Sequence, residues 1–102
     1  MRRFPKTLEA AENLAWVLAS DSDDTIRRPQ EAKALAMRLC QIARNQNPDY
    51  LDLLSVSQAA SGEFDDAIRS VLKALEIYGE KPAGAEARAR LELYRQGKAY
   101  FR

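Results

Sequence analysis

Apolar positions recur at steps of three and four along most of the chain, and the clearest run follows Gly62. Phe64, Ala67, Ile68, Val71, Leu72, Leu75 and Tyr78 form one stripe, because a turn of 3.6 residues returns side chains to the same helix face at those intervals. Asp65 and Asp66 open this segment, where exposed amides favour negative charge, and Gly79 stands just past its last periodic residue as a cap. After Pro29 the pattern repeats, with Ala32, Leu35, Ala36, Leu39, Cys40 and Ala43 on one face and Lys33, Arg38 and Arg44 elsewhere. Each of these helices is preceded by another. Thr7 is suited to cap a helix running to about Ala19, with Leu8, Ala11, Leu14, Ala15 and Leu18 on one side and Trp16 on another. Asn47-Pro48-Asp49 starts a third helix, in which Leu51 and Leu54 face one way while Leu53, Val56 and Ala60 face another. A helix apolar on two sides is covered by more than one neighbour or leaves apolar surface for a partner. A fifth, from about Ala83 to Gln96, carries Ala87, Leu91 and Tyr94 on one face and Ala89 and Leu93 on another, and Gly97 ends it. The stretch from Ser20 to Arg28 holds Asp21, Ser22, Asp23 and Asp24 without an apolar pattern and reads as a solvated loop. No segment alternates as a strand would, so the expected fold class is all-α.

The second and fourth helices align with a shift of 35 residues, which sets Ala32 on Ala67, Ala36 on Val71 and Leu39 on Ala74. A period of that length signals a helical array. From Pro48 to Ile77 the run Leu51-x-x-Leu54-Ser55-x-x-Gln58, then Gly62-Glu63-Phe64-Asp65-Asp66-Ala67-Ile68, then Val71-x-Lys73-Ala74-Leu75-Glu76 resembles one tetratricopeptide repeat (TPR). Small residues such as Ser55, Ala67 and Ala74 let paired helices approach closely, and Gly62 ends the first of the pair. The chain departs from the family pattern at Gln58, where a large aromatic is usual, at Leu39, which fills a small-residue position, and at Tyr78-Gly79, where a proline is usual. Leu14 to Ala32 spans 18 residues against 13 from Leu54 to Ala67, so the first pair has a longer connection. The ending Leu91-x-Leu93-Tyr94-x-x-Gly97-Lys98 is similar to the closing helix after the last repeat of longer TPR proteins. The resemblance implies antiparallel helix pairs stacked as a short right-handed superhelix of about five helices, forming a single domain over 1–102. Its parts are a degenerate first repeat at 7–45 with the extended loop 20–28, a second repeat at 48–78 and a capping helix at 83–97.

Composition narrows the function classes. Sixteen basic residues against fifteen acidic ones leave a net charge of +1, so no whole-chain field draws in nucleic acid or anionic lipid. Histidine is absent, which removes the usual general base near neutral pH and the commonest transition-metal ligand. Cys40 is alone, falls on an apolar stripe and reads as a small buried hydrophobe in a reducing compartment. Asp65-Asp66 and Asp23-Asp24 lack the spaced oxygen ligands of a calcium loop, and Gly97-Lys98 has no upstream glycine at phosphate-loop spacing. The expectation is a non-enzyme without cofactor or metal. Met1-Arg2-Arg3-Phe4-Pro5 leads into an amphipathic segment with no signal-peptide core or membrane span, so a cytoplasmic address is expected.

In the resembled family the first helix of each pair lines a concave groove that takes peptides. By register this groove side comprises Glu9, Glu12, Trp16, Asp49, Asp52, Leu53, Val56 and Ala60, which is acidic with an apolar floor. No lysine or arginine occurs from Thr7 to Ile26 or from Asn45 to Ile68. Glu12, Trp16, Asp49 and Leu53 stand where family members that clamp a partner's terminal carboxylate carry basic or amide donors. A basic or amphipathic peptide or helix of another protein is the natural guest, making the chain a protein–protein interaction scaffold. Two plainer readings stay open: first-turn acids are favoured by the helix dipole alone, and a tryptophan is more often packed than exposed. A two-repeat array also leaves an end uncovered, so self-association as a homodimer, or docking to another protein, through the outer side of the first two helices is expected. The rival reading is RNA binding by Arg88, Arg90, Arg95, Lys98 and Arg102 with Tyr94, Tyr100 and Phe101 interleaved, diluted by Glu86 and Glu92.

Overall fold

A computed structural model of the chain describes residues 4–102, with side chains from Thr7 onward. The leading Met1-Arg2-Arg3, on which part of the signal-peptide expectation rests, lies outside the described residues. Five helices follow one another without a strand among the described residues: α1 Phe4–Ser20, α2 Pro29–Ile42, α3 Pro48–Ala60, α4 Phe64–Tyr78 and α5 Gly84–Arg95. The fold is all-α, as the periodicity predicts. No helix is long and apolar enough to cross a membrane among the described residues.

The helix boundaries follow local chemistry. Thr7 does not cap α1, which begins at Phe4 and places Thr7 inside its first turn. Pro5 is tolerated there because first-turn amides have no intrahelical acceptor to lose. Pro29 opens α2, with Glu31 in the first turn. Asn47 caps α3: its Oδ1 accepts from the amides of Asp49 at 2.9 Å and Tyr50 at 3.4 Å, and Pro48 takes the first helical position. At the other end of α3, Gly62 adopts φ 82° and the Glu63 amide reaches back to the Gln58 carbonyl at 2.8 Å, closing the helix with a left-handed turn. The 20–28 connection is tied to itself. Asp21 accepts from the Asp23 amide, Asp23 from the amide and hydroxyl of Thr25, and Arg27 donates to the Asp21 carbonyl.

Alanines set how closely the helices pack. Ala15, Ala19, Ala32, Ala36, Ala67, Ala74 and Ala87 are all fully buried at helix contacts, so backbones approach without a large side chain between them. Consecutive helices pack in pairs, and α3 touches all four others. The first helices of successive pairs also meet, α1 with α3 and α3 with α5, whereas α2 and α4 do not pack on each other. Only the salt bridge from Lys33 to Glu63, 2.8 Å, joins α2 to the start of α4 among the described ion pairs. This is the layering of a helical repeat array, with α1, α3 and α5 sharing one face.

That double contact explains α3. Leu51 and Ala59 join the α4 and α5 side of the core, Leu53 packs with Ala15, Ala36 and Leu39, and Val56 packs with Ala19 and Ala32. Beyond α5, Gly97 at φ 70° reverses the chain, and the Lys98 amide donates to the Leu93 carbonyl at 2.9 Å. Segment 98–102 then runs without regular structure across the shared face to α1, where the Arg102 amide donates to the Ser20 carbonyl at 2.7 Å.

Candidate functional site

The shared face carries a cleft of about 330 Å³. Glu12 and Trp16 of α1, Asp49 and Asp52 of α3, and Glu86 and Arg90 of α5 line it, with Tyr78 of α4 and the Pro82-Ala83 turn closing one end. Four of the eight residues assigned to the groove by register therefore meet in one place. Glu9 is exposed one turn from Glu12 and acts on its charge without lining the cleft. Ala60 is half-buried at the far end of α3, away from the cleft.

Two assignments need correction. Leu53 and Val56 are fully buried and form no groove floor, because α1 and α2 cover both. An apolar pair on a helix flanked by neighbours on both sides is consumed by the core. Asp52 borders the cleft but is only 2% exposed, and it faces Arg90, itself 7% exposed. Arg90 Nε donates to Asp52 Oδ1 at 3.0 Å and Nη2 donates to Oδ2, a fork of two parallel bonds between α5 and α3. Burial works against the Arg90 charge, yet the Asp52 hydrogen bonds and charge outweigh it and hold the guanidinium above its usual value. The Ser55 hydroxyl donates to the Asp52 main-chain carbonyl at 2.6 Å, which leaves the Tyr94 hydroxyl, 3.2 Å away, to donate to Ser55. Burial pushes the Tyr94 hydroxyl well up from the ordinary phenol range, so it remains a neutral donor.

With Asp52 paired to Arg90, the other acids lining the cleft are Glu12, Asp49 and Glu86, of which Glu86 also lies 4.0 Å from the Arg90 guanidinium. Partial burial, then Asp49, then Glu9 raise Glu12 above the usual glutamate value. A partly buried carboxylate beside like charges gains from a cation placed next to it. Tyr78 donates to Asp49 Oδ1 at 2.6 Å, which orients that carboxylate toward the cleft end. Trp16 is half-buried, and its ring is flanked by two guanidinium groups, those of Arg90 and Arg102, each 5.5 Å from the ring.

No family model, curated protein or solved structure matches this chain. The site is therefore read from its own geometry.

Register reasoning missed Tyr78, Glu86 and Arg90, although a signal was present: Glu12, Asp49 and Glu86 are separated by equal steps of 37 residues. Part of the basic and aromatic set gathers beside Trp16, where Tyr100 lies 5.0 Å from the Arg90 guanidinium. Arg90 is locked on Asp52, Arg95 pairs with Glu92 at 3.3 Å, Tyr94 is buried, and Arg102 sits over Trp16. On the first helix pair, Leu14, Val17, Met37 and Ile42 are exposed, and a second cleft of about 410 Å³ lies between Leu8, Ala11, Leu35 and Ile42.

Proposed function

We propose that the chain is a TPR-like protein interaction module whose α1/α3/α5 face binds a short basic segment of another protein. The observation that carries this reading is the convergence of Glu12, Asp49 and Glu86 from three successive first helices beside Trp16, in a cleft whose buried arginine is already neutralised. Three carboxylates around an aromatic surface suit a lysine or arginine side chain: charge steers the approach, and the ring covers the alkyl stem or the guanidinium plane. Specificity resides in the guest's basic residue and the residues beside it. The absence of histidine and the pairing of Asp24, Glu63, Asp66 and Glu92 with basic side chains support binding over catalysis.

Selection from a random peptide display library tests this. The native chain is expected to enrich peptides with lysine or arginine next to an aromatic residue, and a Glu12→Lys/Glu86→Lys variant with an unchanged helical spectrum is expected to lose that enrichment. Enrichment without basic residues, or enrichment indifferent to the two substitutions, would refute the reading.

A second surface supports self-association. Four of the seven exposed large apolar side chains lie on the first helix pair, Leu14, Val17, Met37 and Ile42, and none lies on α3 or α5. Apolar exposure thus concentrates on the first helix pair. Sedimentation velocity across a wide concentration range is expected to show a dimer that Met37→Glu/Ile42→Glu abolishes.

A further inference from the structure

Segment 98–102, Lys-Ala-Tyr-Phe-Arg, has the chemistry expected of the guest and lies on the face proposed to receive one. It has no regular structure, is turned back by Gly97, and crosses from α5 to α1. The Tyr100 ring packs against the cluster of Ala19, Ala32 and Val56 and lies 5.0 Å from the Arg90 guanidinium. The Arg27 guanidinium stacks over Phe101 at 4.1 Å, although Phe101 remains 46% exposed. Arg102 lies over Trp16, on the ring that borders the acidic cleft, and its amide is fixed to the Ser20 carbonyl. One hydrogen bond to α1 and a few ring–cation contacts are of the same order as the free energy needed to order five residues, and the packing of Ala99 and Tyr100 on the core tips the balance to the closed form. The segment is therefore closed in the resting chain, yet held without a buried ion pair such as the Asp52–Arg90 fork.

We propose that segment 98–102 is an internal ligand that occupies the Trp16 side of the binding face, and that the external partner is a segment of like chemistry, an aromatic residue followed by arginine, which displaces it. This inference rests on the peptide-binding reading above and sharpens it. The acidic cleft stays open beside Trp16, so a longer guest engages Glu12, Asp49 and Glu86 first and then competes for the ring. Because the internal copy is tethered, its effective concentration is high, and free guests bind with an affinity scaled down to the open fraction.

The test uses a fluorescein-labelled peptide with the sequence of residues 97–102 and the full chain in two opened forms. Phe101→Ala/Arg102→Ala alters only exposed side chains, and Tyr100→Ala/Arg102→Ala opens the face further, with circular dichroism melts confirming that each folds. The expected result is peptide binding at least tenfold tighter to the second variant than to the native chain, with an intermediate gain for the first and a change in the emission of Trp16, the sole tryptophan. Adding Glu12→Lys to the opened form is expected to remove the gain. Equal binding to native and opened chains would overturn the inference while leaving a successful display selection, and so the peptide-binding reading, intact. Absence of binding to any form also overturns it. If the segment leaves its own face only for that of a second copy, the native chain will dimerise with concentration and the peptide will dissociate the dimer; that result makes the chain its own partner and overturns the proposal.

Discussion

Replacing Arg90 by methionine keeps most of the side-chain volume and leaves the Asp52 carboxylate with its fork partner gone. Asp52 is 2% exposed, so water does not replace the two lost donors. Its remaining side-chain neighbour, the Ser55 hydroxyl, lies 3.4 Å from Oδ1 and already donates to the main chain. Removing one partner of a buried ion pair typically costs about 3–5 kcal/mol. A domain of this size is stable by roughly 5–15 kcal/mol, so the loss is a large share of the total. The pair itself adds little over apolar packing, because desolvating both ions offsets much of their attraction. Asp52→Leu/Arg90→Met should thus lie within about 1 kcal/mol of the native chain. Urea unfolding followed by circular dichroism, run on the native chain, both single variants and the double variant, closes the cycle. A coupling of about 2 kcal/mol or more is expected. Arg90→Met losing under about 1 kcal/mol, or single losses that simply add, would refute the claim that this fork locks α5 to α3.

Other outcomes follow from the same geometry. Asn47→Ala removes the acceptor of two orphan amides and should lower stability by about 1 kcal/mol in the same urea assay. Leu53→Ala should lose about 2–5 kcal/mol as a core cavity, with peptide affinity unchanged under conditions where the variant is folded. Glu12 is held above its ordinary value, so the folded chain binds that proton more tightly than the unfolded chain does. Its ionisation makes stability fall as pH rises from the unfolded value through the raised one. Glu12→Gln should therefore exceed the native chain by about 0.3 kcal/mol at pH 7 and match it near pH 3, measured by thermal melts. Burial pushes the Cys40 thiol to about 11, so alkylation by iodoacetamide at pH 8 should be slow in the folded chain and rapid in urea.

The helices and their pairing were legible because each carries an apolar stripe bounded by proline, asparagine or glycine. The caps Asn47 and Gly97 could be read directly from residue type. Thr7 misled because capping residues also occur inside first turns, and only the chain before it decides where the helix begins. In α3, Leu53 and Val56 share a register side with Asp49, yet the curve of neighbouring helices buries the later turns and leaves only the first open. Asp52 looked like a free acid because its partner lies 38 residues away, on a helix whose rotation periodicity does not specify. Segment 98–102 carries no periodicity at all. Its placement comes from contacts with Ser20, Arg27 and Trp16 that are distant in sequence, and only composition hinted that it matched the face it crosses.

Titration of the isotope-labelled chain with a basic–aromatic peptide, followed by amide and indole NMR shifts, tests the central claim most directly. The perturbed signals are expected to gather at Glu12, the Trp16 indole, Asp49, Glu86 and Arg90 and to extend to segment 98–102. Shifts confined to the outer side of α1 and α2, or none at saturating peptide, would contradict the claim.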